Sequence, residues 1–247
     1  MRASQWLLRI PATSAEGRIF CFPYSGVGAS MFNRWPRWIA RFEVCPIQLP
    51  ARENRIAEPH YRTYARLADE LAHDLSSLLD RPFVFFGHCA GALPAFETVR
   101  RLDDATLPRR RRLVVSAQVA PHHCPHDRML DQTDDELLSE LAEQVRARGG
   151  EPHPALLTLA LRVLRQDLEA NREYRLPGPD PIRTDITVVH WSADPEVTQP
   201  ELTGWRHYAA DVSFRVLDGG HYDFLAAPPP LLNLLHDILE GAGADDR

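Results

Sequence analysis

Short apolar runs rich in β-branched and aromatic residues alternate along this chain with segments whose apolar positions recur at helical spacing. The runs predict strands over Arg18 to Phe22, Phe42 to Leu49, Pro82 to Phe86, Arg112 to Val119, Ile186 to His190 and Ser213 to Leu217. Residues 82–86, Pro-Phe-Val-Phe-Phe, are apolar without interruption, as in a strand buried on both faces. Between the runs, Tyr64 to Asp80 sets Leu67, Leu71, Leu75 and Leu78 on one helical face, with Asp, Glu and Arg opposite. Phe96 and Val99 fall on a helix opening near Ala90, and Leu231 to Leu239 reads as a final helix after a stop at Pro228, Pro229 and Pro230. Strands alternating with helices predict the α/β class, with a mostly parallel central sheet covered by helices on both faces.

One stretch breaks the alternation. Thr133 to Arg172 carries two helical patterns with no strand between them, one through Leu137, Leu138, Leu141 and Val145, the other through Leu156, Leu157, Leu161 and Leu164. This predicts a helical lid insertion over residues 127–180 of a single domain covering 1–247; an ordinary helical crossover is the alternative. The polar tail Gly241 to Arg247 is expected to be frayed.

The chain's 247 residues suit one α/β unit with an insertion. No apolar run is long enough to span a membrane, and Met1 to Pro11 lacks a signal-peptide core, so a cytoplasmic location is expected. A net charge of −6 argues against general affinity for nucleic acid. All basic residues other than His are Arg, so no Lys can act as a base or form a Schiff base. Cys21, Cys45, Cys89 and Cys124 show no zinc-like spacing, and Cys21 and Cys45 sit in apolar runs as small buried hydrophobes. No long heptad suggests an obligate oligomer, and a monomer is expected.

The chemistry concentrates at Gly87-His88-Cys89-Ala90-Gly91, which follows the central apolar run and opens a helix. This is the nucleophile-elbow pattern G-x-S-x-G with Cys in place of Ser. The strand must turn sharply into the helix, and the two glycines leave room for it. A thiol at a helix N-terminus meets unpaired N–H groups and the helix dipole, which favour thiolate. In chain order an acid and a His should follow, each after a later strand. Asp194 in WSADPEV and His221 in LDGGHYDFL satisfy both conditions. His221 is expected to be the general base and Asp194 to fix its tautomer; Asp218 and Asp223 are weaker candidates for the acid. For the oxyanion, the N–H of Ala90 and the N–H of Ser25 in the glycine-bearing loop Phe22 to Gly28 are the expected donors. That loop lacks Walker spacing and a following Lys, which disfavours phosphate binding.

With these residues in view, the chain resembles the stand-alone type II thioesterases of polyketide and nonribosomal peptide pathways, members of the α/β-hydrolase superfamily. The resemblance runs through IFCFPYSGVGASMFNRW, VCPIQLPARENR, FFGHCAGALPAFE, VSAQVAPH, ADPEV and GGHYDFL, nearly the whole chain. It implies an α/β-hydrolase fold, a helical lid over a phosphopantetheine channel, and hydrolysis of acyl groups from acyl or peptidyl carrier proteins. It carries roles onto Cys89, Asp194, His221, Ser25 and Ala90. The chain departs from the family pattern at Cys89, where Ser is usual, at Ala90, where Met is usual, and at Ser25 and Val27. A Cys acyl-enzyme is itself a thioester, so it stays activated toward water, an amine or another thiol.

Three alternatives remain: an acyltransferase or chain-releasing enzyme of the same fold, a small-ester or lactone hydrolase, and a non-catalytic synthetase-binding protein. No cofactor is expected. His122, His123, Cys124 and His126 invite a metal reading, but no carboxylate clearly completes a site, and none is expected. Carrier proteins being acidic, an Arg-bearing face is expected near the entrance, with Arg34, Arg37, Arg52 and Arg55 as candidates. Arg109 to Arg112 should lie at the opposite end of the sheet.

Overall fold

The computed structural model describes residues 3–102, 107–147 and 150–241. Its strands are β1 (Gly17–Phe22), β2 (Trp38–Ile39), β3 (Phe42–Pro46), β4 (Phe83–His88), β5 (Arg111–Ser116), β6 (Asp185–Trp191) and β7 (Val212–Leu217). They form one sheet in the order β2-β3-β1-β4-β5-β6-β7. Every neighbouring pair is parallel except β2 with β3. The helices are α1 (Tyr64–Leu75), α2 (Ala92–Arg101), α3 (Asp134–Ala147), α4 (Pro154–Glu173) and α5 (Pro229–Glu240).

The continuous apolar strands divide by alternation between two cores, because successive side chains leave opposite faces of a strand. On one face Phe20, Phe22, Phe83, Phe85, Leu113, Val115, Ile186 and Val188 meet Leu67, Leu71 and Leu75 of α1 and Phe96 and Val99 of α2. On the other, Ile19, Cys21, Val84, Phe86, Val114, Val189 and Trp191 meet Leu231, Leu235 and Leu239 of α5. Each fully buried side chain of this size contributes roughly 1.5–3 kcal/mol. This is the mostly parallel sheet covered on both faces expected from the alternation of runs, in the α/β-hydrolase arrangement that the resemblance implies.

The boundaries differ for local reasons. The run expected to end at Leu49 leaves the sheet after Pro46, where Ile47 forms an antiparallel bridge with Leu7. The run expected to reach Val119 stops at Ser116, because Ala117 turns to φ +50°. The two-residue strand β2 was too short to show as a run. Pro229 and Pro230 open α5 rather than closing a preceding element, since the first turn of a helix needs no N–H from them. Of the polar tail, residues 242–247 lie outside the described residues.

Between β5 and β6, α3 and α4 pack on each other around a separate small core of Met129, Leu137, Leu141, Leu164 and Leu168. A capping box opens α3: Thr133 Oγ1 accepts the N–H of Glu136, whose carboxylate accepts the N–H of Thr133. Of the stripe expected on α4, Leu164 is buried in this core and Leu157 and Leu161 pack against it, whereas Leu156 departs. Leu156 is 64% exposed, and the buried face runs through Val163, Leu164, Asp167, Leu168, Ala170 and Asn171. Sequence periodicity missed this because Asp167 and Asn171 are polar. Among the described residues, no helix is long and apolar enough to cross a membrane.

Candidate active site

The ends of β1, β4, β6 and β7 lie along one edge of a parallel sheet, so the segments that follow them converge. After β4, Cys89 adopts φ +50°, left-handed backbone that a non-glycine residue rarely occupies. The flanking glycines are sterically required. A Cβ on Gly87 would stand 2.5 Å from Cα of Ala92, and one on Gly91 would stand 2.7 Å from the carbonyl oxygens of Phe22 and Pro23. Gly91 therefore lets the elbow sit directly against the loop that leaves β1.

His221 follows β7 and Asp194 follows β6. Nδ1 of His221 lies 2.9 Å from Oδ2 and 3.1 Å from Oδ1 of Asp194. Oδ1 also accepts the N–H of Glu196 at 2.8 Å and of Val197 at 3.3 Å. Burial pushes the Asp194 carboxyl up, but the bonds from His221 and these N–H groups outweigh it and hold the group below the usual carboxylate range. The weaker acid candidates lie elsewhere: Asp218 accepts from Ser192 Oγ and Asp223 from the N–H of Gly220.

Nε2 of His221 is buried without a hydrogen bond, and a ring nitrogen of His221 and Cys89 Sγ lie within 4.8 Å of one another. Glu196 joins them: its Oε2 is 3.5 Å from His221 Nε2, while Oε1 accepts from Arg128 at 2.8 Å. Glu196 was not singled out from the sequence, although it stands two residues after Asp194 in the quoted ADPEV. Cys89, Glu196 and His221 form the one cluster among the described residues with metal-ligand proximity. The cluster at His122 to His126 does not assemble: Nδ1 of His122 pairs with the Tyr208 hydroxyl, and Cys124 is buried.

The expectation that the helix terminus would lower the thiol pKa is corrected. Burial pushes the Cys89 thiol well above its usual value, and the carboxylates of Asp127 and Glu196 add to this. Only the N–H of Ala90, directed at the sulfur, opposes them. The turn Cys89–Gly91 runs straight into α2, and the field of that helix terminus does not outweigh desolvation and the nearby carboxylates. This environment favours the protonated thiol of Cys89.

His88, beside the nucleophile, is fully buried. It stacks on Phe224 at 3.9 Å and meets the edge of His221 at 4.6 Å. Ser116 Oγ lies 2.9 Å from His88 Nδ1 and accepts from Trp191 Nε1 at 2.9 Å. Burial, and next the proximity of His221, hold His88 well below the usual imidazole value, so it is a neutral wall against the His221 ring.

In the loop after β1, Ser25 is buried and its N–H has no acceptor among the described residues, whereas Gly26 N–H donates to Asp167 Oδ2 at 2.7 Å and Val27 N–H to Tyr24 O at 3.4 Å. A cavity of about 440 Å³ opens beside this loop, between Gly26 to Ser30 and the Leu156, Leu159 and Val163 side of α4. A larger one of about 600 Å³ lies between the far ends of α1 and α2 and touches none of the residues above.

The arginines expected at an entrance are partly reassigned. Arg52 is buried against Asp167, and Arg55 is buried between Glu58, the carbonyl of Gln48 and the Trp6 ring, so neither offers charge to a partner. Arg37 pairs with Glu43, and Arg34 is exposed. Arg111 and Arg112 open β5, at the opposite edge of the sheet from Cys89 as expected.

Residues 17–239 match the thioesterase domain family. The chain is 30% identical over 248 residues to "Linear gramicidin dehydrogenase LgrE" of Brevibacillus parabrevis, covering 96% of this chain and 93% of that protein. The dinucleotide fingerprint that a dehydrogenase name suggests is incomplete here, since Gly26-Val27-Gly28-Ala29-Ser30-Met31 lacks the third glycine. Among solved structures, RedJ, a thioesterase from the prodiginine pathway of Streptomyces coelicolor, is 31% identical with a TM-score of 0.75, covering 94% of this chain and 95% of that one. BorB, a type II thioesterase from the borrelidin cluster, is 28% identical with a TM-score of 0.78 over 94% of this chain and 96% of that one. With an elbow, a His–Asp pair and a helical insertion on a seven-stranded hydrolase sheet, the chain belongs to the thioesterase family.

Proposed function

We propose that this protein hydrolyses acyl groups from the phosphopantetheine arms of acyl or peptidyl carrier proteins through a Cys89 acyl-enzyme. The observation that carries the reading is the convergence of Cys89 Sγ on the ring of a His221 whose Nδ1 is held by Asp194 and whose Nε2 has no hydrogen bond. With the Cys89 thiol pushed above its usual value by burial, His221 acts as its general base. As Sγ attacks the thioester carbonyl carbon, its proton moves to Nε2, and the N–H groups of Ser25 and Ala90 receive the negative oxygen. Collapse breaks the carbonyl–sulfur bond, and the pantetheine sulfur takes the proton from His221. Water then attacks the Cys89 thioester, giving its proton to Nε2 and releasing free acid and thiol. Asp194 keeps Nδ1–H oriented and stabilises the imidazolium in both halves. Residues 127–180 serve as the lid of this site, and the protein acts as a cytoplasmic monomer beside its synthetase.

Intact-protein mass spectrometry after mixing with acyl-pantetheine thioesters and acyl carrier proteins tests the proposal. An acyl mass gain that is lost in Cys89→Ala, with free acid in solution, is the expected result. An adduct released only by an added amine, alcohol or thiol would replace hydrolysis by acyl transfer. Absence of any adduct or turnover would overturn the reading and direct attention to free esters and lactones.

A further inference from the structure

Among the described residues, the most heavily bonded buried charge lies outside the proposed triad. Asp167, on α4, is 2% exposed and accepts five hydrogen bonds. Its Oδ1 receives Arg52 Nη2 at 2.8 Å, His60 Nε2 at 2.8 Å and the Tyr61 hydroxyl at 2.7 Å. Its Oδ2 receives Arg52 Nη1 at 2.7 Å and the backbone N–H of Gly26 at 2.7 Å. His60 Nδ1 accepts the N–H of Arg62, which fixes the ring so that Nε2 carries the proton toward Asp167.

The same guanidinium holds the next residue of the loop, because Arg52 Nη1 also donates to the Val27 carbonyl at 3.0 Å. One turn before Asp167 on the same helix, Leu164 closes over Gly26, where a Cβ would meet it at 3.0 Å. Gly26 has φ +82°, so the loop turns there in a conformation that only its neighbours enforce. Two peptide groups of the loop, Ser25–Gly26 and Val27–Gly28, are thus held by one ion pair, and the Cα of Gly26 between them by one leucine. With the Gly26 and Val27 N–H groups in use, Ser25 keeps an N–H without an acceptor among the described residues.

We propose that Asp167 is a positioning residue which, through Gly26 and Arg52, holds the Ser25 N–H where the tetrahedral oxyanion forms. This rests on the thioester reading above. The C-terminal half of α4 is then a fixed strut of the catalytic loop, and any lid movement is confined to the half before Val163.

The test compares wild type, Asp167→Asn, Gly26→Ala and Tyr61→Phe, each below its melting temperature. Two readouts are taken: kcat and KM on an acyl thioester of N-acetylcysteamine, and the alkylation rate of Cys89 by iodoacetamide. Alkylation at the saturated carbon of iodoacetamide forms no oxyanion, so it reports the thiol and its surroundings without the loop's donor. Asp167→Asn and Gly26→Ala are expected to lower kcat by about 10²-fold, the scale of losing one oxyanion donor. KM and alkylation should stay within about threefold. Tyr61→Phe, which strips a bond from Oδ1 only, should leave kcat within about twofold. Equal falls in kcat and alkylation, or an unchanged kcat, would overturn the positioning role. If Asp167→Asn does not fold, Gly26→Ala decides alone, since it keeps the ion pair intact. A wild type that is alkylated but turns over no thioester would overturn the parent reading and this one with it.

Discussion

The Cα of Gly91 rests against the carbonyl of Pro23 so closely that a Cβ would stand 2.7 Å from its oxygen. The nucleophile elbow and the loop after β1 therefore share a contact that admits no side chain. Gly91→Ala should destabilise the fold by about 1–3 kcal/mol through overpacking. That corresponds to roughly 2–4 °C in Tm for each kcal/mol at this size. Thermal melts with parallel thioester assays check it, and an unchanged Tm would show that the loop yields freely.

Asp194 fixes the proton of His221 on Nδ1 and leaves Nε2 free. Asp194→Asn should lower kcat by about 10²–10⁴-fold with little change in KM, because an amide can donate to Nδ1 and favour the wrong tautomer. Steady-state kinetics on a pantetheine thioester decide it. Retention of more than a tenth of wild-type kcat would remove Asp194 from the mechanism.

Burial, followed by the charges of Asp127 and Glu196, raises the Cys89 thiol, so no thiolate–imidazolium pair is expected at rest. The alkylation rate should climb through pH 8 to 9 without a plateau at lower pH. Asp127→Asn removes a negative charge, lowers the thiol value and should speed alkylation at pH 8. A wild-type plateau near pH 6 would contradict the protonated resting state.

Asp167 is held well below the usual carboxylate range: burial raises it, but Arg52 and His60 lower it more. Its stabilisation is fully present above the unfolded value of about 3.9 and is lost as the pH falls below that toward the depressed folded value. Urea midpoints measured from pH 5 to pH 3 should therefore fall less steeply in Asp167→Asn than in wild type. Arg52→Met, which strands the carboxylate, should cost about 3–5 kcal/mol at neutral pH. Equal acid slopes in wild type and Asp167→Asn would deny the charge its role.

Cys89→Ser tests whether the thiol matters. The acyl group would then move from a thioester to a more stable oxoester, so release should slow relative to loading and the adduct should persist longer by mass spectrometry. Identical adduct lifetimes and products would mean that the Cys has no special role.

By itself the sequence determined the sheet and the order of the chemistry. The run Pro82 to Phe86 reads as a strand buried on both faces, and Gly87, Cys89, Gly91, Asp194 and His221 follow strand ends in chain order. Strand patterns repeat every two residues and elbows are contiguous, so both survive in one dimension. Only the tertiary structure decided the electrostatics. Whether Cys89 is thiol or thiolate depends on burial and on carboxylates brought from residues 127 and 196. Whether Arg52 faces a partner or the interior depends on an aspartate 115 residues away. Desolvation and charge pairing are set by distances through space, and residues far apart in the chain carry no local pattern that announces their meeting.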